Sequence, residues 1–291
     1  MDLRALLMGL AFSLMWSSAF ATARIIVADA PPLWALTFRF TASGLVAVAI
    51  ARALGQSWQL TRPVARSVLI FGLCQNALYL GLNFVALQWV EASLASIIAS
   101  TMPLIVALLG WLFRGEKVSR LGQFGLALGF AGVTLIMGTR LSGGTDPIGI
   151  AMCVAGATAL AIATLTVRSI SAQGNLLMVV GLQMLVGSVT LAFVALLTEP
   201  LTIHLSLPLS IAFVYQIIVP GLTATLLWFA LVKRIGAVRA STFHFLNPFF
   251  GVLVAAVLLG EKISTTDIAG VLIAMLGILA VQLSRQAVSK S

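Results

Sequence analysis

Nine side chains in this sequence have the type and spacing to hold a small polar molecule: Trp16, Arg39, Tyr79, Asn83, Ser100, Gln183, Trp228, His244 and Asn247. Tyr79 and Asn83 stand four residues apart, which puts them on one helix face, with Gln75 and Asn76 near the same seam. His244 and Asn247 stand three apart, just before Pro248. A proline within a helix frees a carbonyl and bends the axis, so Pro248 and its counterpart Pro103, beside Ser100, are expected hinges where substrate meets backbone. Gln183 and Arg39 lie at similar depth in their apolar runs, and Trp16 and Trp228 lie deep enough to line a cavity for an aromatic or apolar group. The chemistry on offer is recognition by amides, hydroxyls, one guanidinium and one imidazole.

Each of these residues also has a purely structural use. A lone Asn or Gln in a membrane bundle often makes one interhelical hydrogen bond worth about 0.6 kcal/mol. His244 is either satisfied between helices or placed in a cavity where it handles protons. Arg39 either binds a substrate carboxylate or snorkels and bonds a backbone carbonyl, the second being the simpler expectation. Trp34, Trp58 and Trp89 fall near run ends and read as interface anchors. Catalysis finds no support: HExxH, GxSxG, GxGxxG, a P-loop and an Asp/Glu cluster are all absent, so an enzyme, an ATP-driven pump, a cofactor and a metal are not expected. Cys74 and Cys153 each sit in an apolar run as small hydrophobes.

Acidic residues are informative by their places. Asp2, Asp29, Glu91, Glu116, Asp146, Glu199, Glu261 and Asp267 all fall at run ends or in loops. With no carboxylate at mid-depth, a polyvalent cation has no partner, and proton coupling is left to His244 or dispensed with. A zwitterion can be held by helix ends and amides, which favours neutral and aromatic amino acids.

The elements that position these residues follow from composition. Of 291 residues, 60% are hydrophobic and 9% charged, against about 45–50% apolar and about 25% charged in soluble domains. Lipid must therefore be the solvent for most of the surface. The net charge of +9 is scattered one to three residues at a time, which excludes a nucleic-acid footprint and fits orienting loops. A bilayer core takes about 20 residues of helix, and ten such runs are found, near 3–27, 32–54, 66–88, 91–113, 120–139, 147–168, 175–197, 208–233, 237–259 and 266–284. Arg4, an apolar run and Ala19-Phe20-Ala21 imitate a cleavable leader, but the run continues to Ala28 and reads as the first span. Counted by alternate loops, thirteen basic residues, including Arg168, Arg239 and Lys290, share the side of the termini and three lie opposite, which puts both termini in the cytoplasm.

An internal repeat organises the ten runs. Ser96 to Gly132 matches Ser241 to Gly277 at a constant offset of 145, pairing Pro103 with Pro248 and Gly115-Glu116-Lys117 with Gly260-Glu261-Lys262. Five spans per repeat, residues 1–140 and 146–291, force the second half to run inverted. The expected fold is an all-α polytopic membrane protein of ten transmembrane helices in two inverted five-helix repeats. Gly125 and Gly129, like Gly270, Ala274 and Gly277, form small-residue faces suited to close packing, either within the chain or in a homodimer.

Trp16-Ser17-Ser18-Ala19-Phe20, Phe38-Arg39-Phe40, and Pro103 with its following Gly115-Glu116-Lys117 and its echo resemble the drug/metabolite transporter superfamily, in its ten-helix group with two EamA domains. The resemblance covers essentially the whole chain and is closest to bacterial inner-membrane exporters of aromatic and neutral amino acids. It implies an alternating-access carrier with a small-molecule cargo in a central cavity lined by spans 1 to 4 and 6 to 9, with spans 5 and 10 as scaffold. Neutral drugs and nucleoside-like metabolites are the alternative cargo.

Overall fold

The computed structural model describes residues 3–166, 175–236 and 240–288; Arg168, Arg239 and Lys290 of the charge count lie outside them. Ten apolar helical spans cross the molecule: Leu3–Asp29, Pro32–Ala53, Arg62–Ala86, Ala92–Phe113, Arg120–Ser142, Pro147–Leu165, Leu176–Thr198, Leu207–Ile235, Thr242–Leu259 and Thr265–Ser284. No strand occurs among the described residues. Prolines open spans 2, 6 and 8, where the missing N–H costs nothing. Ser119 and Ser206 cap spans 5 and 8 by accepting from Gly122 N and Leu209 N.

Four spans depart from regular α-helix, and they do so in symmetric pairs. Span 3 widens into a π-helical stretch at Gly72–Tyr79 and span 8 at Ile217–Thr223, where Pro220 cannot donate to the helical ladder. Span 4 breaks at Ser100 and Thr101, before Pro103, and span 9 opens with a tight 3-10 stretch, Thr242–Leu246, before Pro248. The offset of 145 carries Gly72 onto Ile217 and Ser100 onto Phe245, so both halves are irregular at equivalent depths. Pro103 and Pro248 each follow such an irregular stretch.

Two helix pairs flank the centre. Spans 2 and 7 pack together, as do spans 5 and 10, each pair joining a span to its equivalent in the other half. Glycine makes both contacts close: a Cβ on Gly44 would lie 3.1 Å from Gly181 O, one on Gly132 2.7 Å from Gly270 O, and one on Gly277 2.2 Å from Gly129 N. The small-residue faces of spans 5 and 10 are therefore used against each other within the chain. Spans 4 and 9 stop at Gly115 and Gly260, both left-handed at φ 64° and 66°, so the repeated triplet is a helix stop in each half. Glu261 then accepts from Ala92 N and Ser93 N at 2.8 and 3.0 Å, satisfying the free N–H groups that open span 4.

The face opposite the termini is laced by polar contacts. Arg140 pairs with Glu91 and, at 2.9 Å, with Asp267, while Arg24 donates to the carbonyls of Leu87 and Val90 that end span 3. Glu199 accepts from Leu33 N and Trp34 N at 3.0 and 3.3 Å and so caps span 2. Burial pushes the Glu199 carboxyl above its usual range, against the pull of these two bonds. Glu199→Ala should cost about 1 kcal/mol, lowering the melting temperature in detergent by about 2–4 °C. Glu199→Gln, which keeps an acceptor, should recover part of that. An unchanged melting curve for the alanine variant would mean that the carboxylate does not secure span 2.

Candidate functional site

Two adjoining cavities lie between the halves. The first, about 40 Å³, is lined by Trp16 of span 1, Arg39 of span 2, Tyr79, Asn83 and Phe84 of span 3, and Pro220 of span 8. The second, about 20 Å³, is bounded by Ser100, Met102 and Pro103 of span 4, Leu160 of span 6, and His244 and Asn247 of span 9. Trp16, Phe20 and Tyr79 belong to both walls. Both cavities are smaller than the about 300–1,000 Å³ usual for small-ligand pockets, so a bound cargo needs the walls to part. Spans 1 to 4, 6, 8 and 9 line this space, and spans 5, 7 and 10 do not.

Arg39 is the unusual member. Its side chain does not snorkel: the residue is 5% exposed, and Nε and Nη1 make no hydrogen bond to any described residue. Its guanidinium carbon stands 5.2 Å from the Phe40 ring centroid and Tyr79 lies beside it on the same wall. Guanidinium keeps its proton, and an uncompensated ion out of water costs several kcal/mol. The simpler expectation of a backbone-bonded arginine therefore fails, because no described carbonyl comes within reach.

The other candidates divide by helix rotation. Asn83 donates from Nδ2 to Tyr79 O at 2.8 Å, leaving Oδ1 buried without a partner. Asn247 Nδ2 bonds His244 Nδ1 at 3.0 Å, and its Oδ1 is likewise unpartnered. Ser100 lines the second cavity while its hydroxyl donates back to Ser96 O at 2.6 Å. Gln183 sits in span 7, which lines neither cavity, and its backbone carbonyl accepts from Asn76 Nδ2 at 2.8 Å. Asn76 thus belongs to the seam between spans 3 and 7. Trp228 packs at 4.8 Å on Phe12 and 5.1 Å on His244, and neither cavity wall includes it. His244 stands edge-on to Phe12 at 5.4 Å, and no acidic residue lines either cavity.

The same organisation is seen in known proteins. Both halves match the model of the EamA-like transporter family, over residues 3–138 and again over 147–283. The chain belongs to this family. Among EamA-like relatives it is 26% identical to the uncharacterized transporter YvbV of Bacillus subtilis, over 94% of this chain and 90% of that one. It is 28% identical to the uncharacterized inner membrane transporter YedA of Escherichia coli K12, over 88% and 83%. A crystal structure of another protein superposes with a TM-score of 0.71 over 99% of both chains at 23% identity, which establishes the fold. The family and these relatives are transporters, not enzymes. Phe20, Phe84, Met102 and Leu160 escaped sequence reasoning because, among 60% hydrophobic residues, an apolar cavity wall looks like any other helix face. Pro220 did carry a signal, a proline far from either end of its run.

Proposed function

We propose that this transporter is a carrier of the bacterial inner membrane, termini in the cytoplasm, that exports small metabolites, foremost aromatic and neutral amino acids, by alternating access. The observation that carries this reading is the pair of cavities between the inverted halves, walled by aromatic rings and holding buried polar atoms without partners. Paired irregular spans, 3 with 8 and 4 with 9, supply the places at which the halves bend. The excess of basic residues on the side of the termini supports the orientation. Because no carboxylate lines the cavities and His244 is held by Asn247 between aromatic rings, the cycle runs without proton coupling.

Counterflow in proteoliposomes tests this. Wild type preloaded with unlabelled phenylalanine should accumulate the labelled form, equally with and without an imposed pH gradient. Trp16→Ala, which strips an aromatic wall from both cavities, should lower aromatic uptake about tenfold. A gradient-dependent wild type in which His244→Ala abolishes that dependence would reinstate proton coupling. Folded protein that moves no amino acid would sink the assignment and direct the assay to neutral drugs and nucleosides.

A further inference from the structure

We infer that the first cavity is a zwitterion site: Arg39 receives the carboxylate of an α-amino acid, the free Oδ1 of Asn83 receives its ammonium, and the side chain runs into the second cavity. This rests on the carrier reading and makes it specific. The cavity wall carries one cation lacking a hydrogen-bond acceptor and one carbonyl oxygen lacking a donor. An anion satisfies the first, an ammonium the second, and an amino acid headgroup supplies both. Guanidinium presents parallel N–H groups that match a carboxylate. Asn83 cannot turn its amide to offer N–H instead, since Nδ2 is committed to Tyr79 O, and Gly156 leaves room for that arrangement: a Cβ there would lie 2.8 Å from Nδ2.

The same geometry sets what is refused. A free amine without a carboxylate brings a second cation toward Arg39, and an amide or nucleoside brings no charge to compensate it. Beyond Trp16, Phe20 and Tyr79, the second cavity has neutral walls, including Met102 and Leu160, so an apolar or aromatic side chain meets matching surface as the walls part and a charged one meets no counter-ion.

The test uses purified wild type, Arg39→Gln, Arg39→Lys and Asn83→Ala. Competition for labelled phenylalanine counterflow is read with phenylalanine, phenylalaninamide, phenethylamine and 3-phenylpropanoate, and ligand-induced shifts in melting temperature are read in detergent. Wild type should prefer phenylalanine to the amide and the amine by about 100-fold or more. Arg39→Gln should lose that preference and at least 100-fold of counterflow, should melt no lower than wild type because the uncompensated cation is gone, and should no longer be stabilised by phenylalanine. Arg39→Lys keeps the charge without the fork and should retain the ranking at reduced rate. Asn83→Ala should accept 3-phenylpropanoate as readily as phenylalanine. An amide that competes equally in wild type, or an Arg39→Gln protein with the wild-type ranking, would overturn the site; should that variant fail to fold, the wild-type and Arg39→Lys rankings decide. Phenylalanine that stabilises wild type in the expected ranking without counterflow would overturn the carrier reading and keep the site, whereas neither binding nor counterflow overturns both.

Discussion

Gly277→Val is expected to leave no monodisperse protein after detergent extraction, and Gly277→Ala to lower the melting temperature markedly. A Cβ on Gly277 would lie 2.2 Å from Gly129 N, 2.4 Å from its Cα and 2.7 Å from Gly125 O. All three are backbone atoms of span 5, which cannot rotate away as a side chain would. Relief requires spans 5 and 10 to separate along their length, opening the buried contact of Leu104, Leu126, Ile278 and Val281. Overpacking costs about 1–3 kcal/mol at sites that can relax, and this site is worse placed than most. Gly138→Ala is the control: nothing lies within 4 Å of its Cβ, and alanine is the better helix former by about 1 kcal/mol. Size-exclusion profiles and melting curves read both. A Gly277→Ala variant as stable as Gly138→Ala would show that these two spans do not meet at glycine.

Arg140→Gln is the second large effect, with an expected fall of about 5 °C in melting temperature. Arg140 ties Glu91, at the start of span 4, to Asp267, in the first turn of span 10. The Asp267 side chain is 3% exposed, whereas that of Glu91 is 41% exposed, so the Asp267 arm dominates. Breaking a buried pair costs about 3–5 kcal/mol, which the Ser264 N–H and hydroxyl still bonded to Asp267 reduce to about 2 kcal/mol. Arg140→Gln combined with Asp267→Asn should therefore be less destabilised than the sum of the two single changes.

pH sharpens the Arg140 test. Burial raises the Glu91 carboxyl above its usual range, Arg140 opposes this, and Glu261 and Asp267 add to it. A carboxyl with a raised folded pKa binds its proton more tightly when folded, so its contribution is present in acid and lost as pH rises through the raised value. Without Arg140 the upward shift grows. The stability deficit of Arg140→Gln should accordingly narrow as pH falls from neutral toward the carboxylate range. A deficit independent of pH would mean that Glu91 is not part of the latch.

Much of the fold was legible because lipid imposes length and polarity on every span. The ten runs and the inverted halves follow from local sequence or from its repetition. The candidate site was legible only in part. Tyr79, Asn83, Ser100, His244 and Asn247, which line the cavities, could be singled out because polar groups stand out in apolar helices, but polarity does not reveal which way a helix is turned. Gln183 looked equivalent to Arg39 by depth, yet it lines neither cavity, and only its backbone carbonyl is bonded by Asn76. Trp228 was deep enough, yet it backs His244.

By itself the sequence determined the solvent, the number of spans and their inverted pairing, since these depend on hydrophobic length and a fixed repeat offset. Tertiary structure alone decided that Arg39 is buried without an acceptor, that the glycines of spans 5 and 10 face each other, and that Arg140 joins two distant carboxylates. Each of these depends on the rotation and crossing of helices far apart in the chain. A rotation of one residue turns a side chain by about 100° without altering the hydrophobic pattern, so packing between helices had to choose among arrangements that the pattern allows.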